Sequence, residues 1–374
     1  MSTYNRAEAI IDLDRITANV KHLKALAGVD LMAVVKADAY GHGLIPVARA
    51  ALAGGATSLG VALLEEAITL REAGITAPIL AWLVPPGSDY KAAVDHNIEL
   101  AASSIIALEE IGAVNSANRP RVHLEVDTGM TRGGFLAEWG TLDAHHVSTL
   151  DIVGIFSHFA RADEPGQEQN DSQRMRFKEM VTTLKSFGFT DIVRHLSNSA
   201  ATLKDKDSRF DLVRTGIAIY GLTPDVNTLG TSASLGLKSA MSVRAKLHLV
   251  KDVPAHSPVG YGATAVTERY TKLGIVAMGY ADGIPRIAQG AGIFVHGKRA
   301  PIIGRVSMDQ FVVDLGPDSQ AISGEWVEVF GDGSAGGYTA EEWGSASGSI
   351  NYEIVTRIGP RVPRIYRSQT LATE

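Results

Sequence analysis

The chain has no cysteine. That excludes disulfides, thiol nucleophiles and cysteine-ligated zinc, and it is compatible with a reducing cytoplasm. Stability must then come from packing. Long apolar runs are also missing: none approaches membrane-spanning length, and the start, MSTYNRAEAIIDLD, has neither a basic leader nor a long apolar segment. The expectation is a soluble, cytoplasmic protein with no membrane partner. A basic surplus is lacking too, since 35 Lys and Arg stand against 41 Asp and Glu for a net charge of −6. With no cluster of basic residues, nucleic acid is not expected as a partner. No H-E-x-x-H occurs, and the adjacent His145 and His146 would point about 100° apart on a helix, so no metal site is expected.

What is present suits a globular enzyme. The 374 residues are 45% hydrophobic and 20% charged, enough for one large domain and a smaller one. Short apolar strands alternate with amphipathic stretches, beginning with Leu31 to Val35 and continuing near 58–62, 78–83, 98–102, 121–126, 152–158, 193–197 and 211–214. Eight βα units predict a closed parallel (β/α)8 barrel of the TIM type over residues 1–235, with the first ~10 residues free to pair with the β domain that follows. After residue 236 the helical period fades into strand-like runs between Gly and Pro turns, which predicts a mostly β C-terminal domain over 236–374. The formal G-x-G-x-x-G at Gly331–Gly336 lies in that β-rich part without a βαβ context, and reads as a turn.

Barrel enzymes carry their chemistry at the C-terminal ends of the strands. There the sequence places Lys36 and Tyr40 after the first strand, Arg132 after the fifth, His158 at the sixth, Asn198 and Ser199 after the seventh, and Arg214 at the eighth. A lone lysine closing an apolar strand is ordinarily a solvated stem. Among so many converging polar groups, a partly desolvated amine becomes a nucleophile suited to imine formation.

The segment AVVKADAYGHG (33–43) resembles the cofactor-lysine signature of alanine racemases. The resemblance continues through VDTGMTRGG (126–134), SHFARADE (157–164), LSNSA (196–200), VRTGIAIYG (213–221), VGYGAT (259–264), GYADG (279–283), GRVSMDQ (304–310) and NYEI (351–354). It implies a homodimer whose sites are each completed by the partner's β domain, and pyridoxal 5'-phosphate as cofactor, carried on Lys36. The anion cradle would be Ser199 with the backbone N–H groups of Gly216 and Ile217, joined by Tyr40 and Tyr352 and supported by His158 and Asn198. Arg214 would face the ring nitrogen and keep it unprotonated.

Racemisation needs two acid/base groups on opposite faces of the substrate. The resemblance assigns them to Lys36 and Tyr261, with Arg132 and the Met308 N–H on the substrate carboxylate. Tyr280, Arg286, Asp163 and Asp309 take supporting or entry positions. The implied activity is interconversion of L-alanine and D-alanine, supplying D-alanine for peptidoglycan. Two positions depart from the family pattern. Glu125 stands where many members have a carbamylated lysine, and either supplies the same negative charge toward Arg132 through a shorter stem or is simply solvated; Ser307 stands where relatives often have cysteine. A serine or broad-specificity racemase fits nearly the same residues, and a non-catalytic pyridoxal-phosphate-binding protein is the alternative from another class.

Overall fold

The computed structural model describes residues 5–369; of the expected domain spans, residues 1–4 and 370–374 lie outside them. The chain forms two compact units, one of residues 16–39 and 44–237, the other of residues up to 15, 40–43 and from 238 onward.

Strand β1, Ala7–Asp12, precedes the barrel strands β2 (Asp30–Val34), β3 (Ser58–Val61), β4 (Ile79–Ala81), β5 (Glu99–Ala102), β6 (Arg121–Glu125), β7 (Asp151–Phe156), β8 (Val193–His195) and β9 (Leu212–Thr215). All the ladders from β2 to β9 are parallel, in the order β8-β7-β6-β5-β4-β3-β2-β9. Two backbone bonds close the seam between β8 and β9, from Asp211 N–H to the Arg194 carbonyl (3.1 Å) and from Arg214 N–H to the Ser197 carbonyl (2.9 Å). The expected eight-stranded barrel is therefore the observed one. Met32, Leu80, Ala101, Phe156 and Leu212 form an apolar cluster on these strands, with Trp82 against it.

The crossover helices form where the sequence supplies an apolar stripe, some of them with a capping side chain at the start. Glu168–Ser186 buries Phe177, Val181 and Leu184, and fully burying each such side chain contributes about 1.5–3 kcal/mol. Ser104 caps the helix Ile105–Gly112 by accepting from Ala107 N–H, and Asn198 caps Ser199–Lys204 by accepting from Ala201 N–H.

The other unit is mostly β. It contains β10 (Met241–Val253), the short hairpin β11 (Pro258–Val259) and β12 (Ala265–Val266), then β13 (Thr271–Val276), β14 (Gly292–Val295), β15 (Lys298–Pro301), β16 (Phe311–Asp314), β17 (Trp326–Phe330) and β18 (Arg364–Arg367). Its main sheet runs β15-β14-β17-β10-β1-β18, with β13 pairing both β10 and β16. Thus β1 pairs antiparallel with β10 and parallel with β18. Alternation along Met241–Leu247 buries every second residue, as a one-sided sheet requires.

The Gly331–Gly336 stretch is a turn after β17, which pairs antiparallel with β10 and so opens no βαβ unit. Asp332 Oδ1 accepts from the Ser334 N–H (2.9 Å) within it. Nearby, Trp343 is fully buried, donates from Nε1 to the Val329 carbonyl (2.8 Å) and packs edge-on to Phe311. Trp343→Ala is expected to lower the unfolding free energy by about 3–5 kcal/mol, read from the denaturant midpoint; a loss below about 1 kcal/mol would contradict a core role.

Candidate active site

Lys36 follows β2 at the barrel mouth. It opens a turn, Lys36–Gly41, in which Ala37, Asp38, Ala39 and Tyr40 have φ of 54°, 52°, 53° and 52° and Gly41 has 77°. A left-handed turn costs about 1–2 kcal/mol for each residue bearing a Cβ, so it must be held from outside. Glu66 provides the clamp: Oε1 accepts from Ala37 N–H (2.5 Å), while Oε2 accepts from Ala62 and Leu63 N–H (3.1 Å each) in the loop after β3. Asp38 Oδ1 takes the Leu44 N–H (2.8 Å), and Ala39 N–H returns to the Val35 carbonyl (2.9 Å).

The Lys36 ammonium lies 5.8 Å from the Trp82 ring centroid. That ring fills the space left by Gly60, where a Cβ would come within 2.6 Å of it. Burial holds the Lys36 amine below its ordinary pKa, Arg132 adds to the depression, and Glu66 opposes it. The amine is thus a better nucleophile and base near neutral pH than an exposed lysine.

Arg214, at the end of β9, is buried and almost fully engaged. Its Nη1 donates to the His195 carbonyl (2.8 Å) and His195 Nδ1 (3.1 Å). Its Nη2 donates to the Ser157 carbonyl (2.6 Å), the Leu196 carbonyl (3.3 Å) and His158 Nδ1 (3.3 Å). Among the described residues, Nε is the guanidinium nitrogen with no acceptor. Burial lowers the Arg214 pKa to about 10, Glu125 counters this and Arg132 reinforces it; the group stays cationic at neutral pH. His158 is pushed well below its ordinary value by burial, then by Arg214, Arg132 and Lys36, so it is a neutral imidazole there.

After β8, the buried Ser199 hydroxyl accepts from Gly216 N–H (2.9 Å) and Ala218 N–H (3.4 Å), which leaves its own proton free to donate. Ile217 begins the 3-10 turn Ile217–Tyr220, so its N–H has no partner within the turn. Ser199, Gly216 and Ile217 are therefore gathered in one place, with Asn198 as the cap beside them.

The loop after β6 is shaped by Asp127, whose Oδ1 accepts from the N–H groups of Gly129 (2.8 Å), Met130 (3.1 Å) and Thr131 (3.1 Å). It presents Arg132 to solvent with no hydrogen bond among the described residues. Glu125 makes no ion pair with Arg132; it acts through space. Its carboxyl is pushed up by burial, and Arg132 and then Arg214 pull it back down. Asp163 lies part-buried in the loop after β7.

The remaining candidates belong to the β unit. Tyr261 is 69% exposed on the β11–β12 hairpin and Met308 is 52% exposed, both without a side-chain partner among the described residues. Tyr280 N–H donates to the Ser307 carbonyl (3.1 Å) and Ala281 N–H to the Met308 carbonyl (2.9 Å), which ties these two loops together. Arg286 is exposed, Asp309 pairs with Arg361 (2.6 Å), and the Tyr40 and Tyr352 rings stand 6.2 Å apart. Among the described residues no group of three or more His, Cys, Asp or Glu is placed to hold a metal ion, and no helix is long and apolar enough to cross a membrane.

Residues 11–224 match the family described as the alanine racemase N-terminal domain, and residues 240–366 the alanine racemase C-terminal domain. The chain belongs to the alanine racemase family. A curated alanine racemase of Salinispora arenicola is 47% identical over 371 residues, spanning 96% of this chain and 98% of the relative. The crystal structure of the alanine racemase from Streptomyces lavendulae superposes with a TM-score of 0.95 at 47% identity, covering 98% of each chain. That from Streptomyces coelicolor A3(2) gives 0.93 at 47% identity, covering 96% of this chain and 98% of its own. The chain is accordingly an amino-acid racemase.

Glu66, Trp82 and Gln173 support this candidate site and lie outside the quoted motifs, while Asp127 lies inside VDTGMTRGG as a residue whose bonds only the fold shows. Gln173 is fully buried in the stripe of Glu168–Ser186 and donates to both the Thr128 hydroxyl (3.2 Å) and the His158 carbonyl (2.9 Å). A glutamine four residues before Phe177 at a core-facing position is the available signal for it. The pH dependence of Lys36 acetylation in cofactor-free chain, followed by mass spectrometry, tests the electrostatics. Its midpoint should lie below the ordinary 10.5, and Glu66→Gln should lower it further by removing the opposing charge. A midpoint at or above the ordinary value would contradict the assigned causes.

Proposed function

We propose that the chain interconverts L-alanine and D-alanine with pyridoxal 5'-phosphate held on Lys36, using Lys36 and Tyr261 of the partner subunit as opposed bases. The observation that carries the cofactor reading is the donor set at the barrel mouth. A depressed amine, a cationic Nε–H with no acceptor among the described residues, and the Ser199 hydroxyl with the Ile217 N–H, beside the Gly216 N–H that here donates to Ser199 Oγ, match an aldehyde, a ring nitrogen and a phosphate in turn. Tyr40 and Tyr352 would add phosphate ligands. When bound, the cofactor supplies an electron sink that makes the substrate Cα–H acidic.

The chain's own groups do the rest. Arg132 and the Met308 N–H bind the substrate carboxylate and fix which bond at Cα points toward each base. Lys36 takes or returns the proton on one face, and its depressed pKa leaves more of it as free amine than an exposed lysine has. Tyr261 serves the other face. Arg214 already donates toward His158, so this imidazole stays unprotonated and does not compete for the proton. Glu125 offsets part of the positive potential of Arg132 and Arg214 without sequestering either in an ion pair. Asp163, Tyr280, Arg286 and Asp309 take entry or supporting positions.

The exposure of Met308 at 52% and Tyr280 at 39%, on loops tied to each other by the Tyr280 and Ala281 N–H bonds, with Tyr261 at 69% and Ile287 at 70% also exposed, supports a homodimer. We assign the product D-alanine to peptidoglycan supply and the activity to the cytoplasm, in keeping with a cysteine-free chain.

Either alanine enantiomer, incubated with the chain and cofactor, should approach an equal mixture by chiral chromatography. Borohydride reduction should attach the cofactor to Lys36, and label on another lysine would refute the assignment. Tyr261→Phe should lower turnover by about 10²-fold or more while leaving borohydride labelling intact. Lys36→Ala and Tyr261→Phe chains, each inactive, should recover about a quarter of normal activity when unfolded and refolded together, because a mixed C2 dimer holds one intact site. No recovery would mean that the two bases come from the same subunit.

A further inference from the structure

Beneath Arg214 the barrel interior carries a line of polar side chains: Glu99 on β5, His123 on β6 and His195 on β8, at 5%, 3% and 0% exposure. Arg214 Nη1 lies 3.1 Å from His195 Nδ1, and His195 Nε2 lies 2.9 Å from His123 Nδ1. His123 Nε2 is 3.1 Å from Glu99 Oε2, and Glu99 Oε1 is 2.9 Å from Arg121 Nη2 at the start of β6.

A guanidinium can only donate. His195 Nδ1 must therefore be bare, with its proton on Nε2. That proton points at His123 Nδ1, which must accept, so His123 carries its own proton on Nε2 and gives it to Glu99. Each bond fixes the next, and all run in the same sense from Arg214 to an ionised Glu99. Burial, and after it Arg214, keep His195 neutral.

The packing around the line is fitted to it. The His123 ring occupies the place where a Cβ of Gly154 would sit, and Phe156 stacks on His195 at 5.0 Å and 18°. Apolar side chains of equal volume would fill a barrel core with comparable or greater stability. The line is therefore to be understood by what it does to Arg214.

We propose that Glu99, His123 and His195 are positioning residues for Arg214, a one-directional hydrogen-bonded wire that fixes its guanidinium and leaves Nε facing the site. Arg71 and Arg121 are the cations facing Glu99, and Glu125, Arg132 and His158 are the groups facing Arg214. The effect on turnover rests on the racemase reading; the proton placement does not.

The test is ¹⁵N NMR of the full chain labelled at histidine, between pH 6 and 9. His123 and His195 should both be neutral and protonated on Nε2. Protonation of His195 on Nδ1, in either charge state, would overturn the proposal without touching the racemase assignment. Glu99→Gln keeps an oxygen acceptor for His123 while removing the charge. It should preserve the fold by circular dichroism and both tautomers, and should lower kcat about tenfold with KM for alanine within twofold. An unchanged kcat in the folded variant would also overturn the proposal. The expected tautomers in a chain without racemase activity would support the wire and count against the racemase reading.

Discussion

A buried guanidinium needs acceptors, and the barrel mouth is organised around giving them to Arg214. The seam bond from Arg214 N–H to the Ser197 carbonyl closes the barrel and sets the side chain against β7 and β8. Carbonyls of Ser157, His195 and Leu196, together with two bare imidazole nitrogens, then take both terminal nitrogens. The consequences spread outward. His158 must stay neutral, and the half-buried Glu125 carboxyl is pushed up by burial while Arg132 and then Arg214 pull it back; the Lys36 amine is depressed by its own burial and then by Arg132. A mouth so biased toward positive charge suits a phosphate and a carboxylate, and it is costly for any further cation.

The second constraint is conformational. Four consecutive residues with side chains sit in left-handed backbone after Lys36, and only the fifth, Gly41, adopts it cheaply. The Glu66 carboxylate compensates by accepting three backbone N–H bonds, two from its own helix entrance and one from the turn. Charge-assisted bonds to N–H groups are among the stronger ones available to a protein. The same carboxylate also limits how far the Lys36 amine is depressed, which couples backbone strain to the chemistry of the side chain that begins the turn.

The strand ends were legible because β strands of a parallel barrel are short apolar runs, and the residues that follow them are read directly from the chain. Lys36, Arg132, His158, Ser199 and Arg214 appear that way. What supports them was not legible, for two physical reasons. Glu66 and Asp127 look like ordinary helix-entry and turn carboxylates, and only the fold shows which N–H groups they meet. Glu99, His123 and His195 lie on three separate strands whose side chains meet inside the barrel, so their adjacency is a property of pairing order. β1 differs: AEAIID has the apolar character of a barrel strand, but its place ahead of the first βα unit left it free for the β domain, and pairing with β10 and β18 puts it there. The left-handed turn was hidden as well, because Ala37 and Ala39 favour right-handed helix on propensity alone.

The two units divide the chemistry in a way that bears on assembly. The barrel holds the depressed amine and the phosphate-type cradle, whereas the β unit holds Tyr261 and Met308 on exposed loops without side-chain partners among the described residues. One base alone can remove and return a proton on one face of Cα, which exchanges the proton but preserves the configuration. Inversion needs a donor on the opposite face at the same moment that the first base holds its proton. An exposed tyrosine meets that need only when something desolvates it and sets its distance from Cα, and apposition of a second copy does both at once. Under the proposed function, the lysine of one copy would take the proton that the cofactor makes acidic, and the tyrosine of a second copy would make its replacement stereochemically productive.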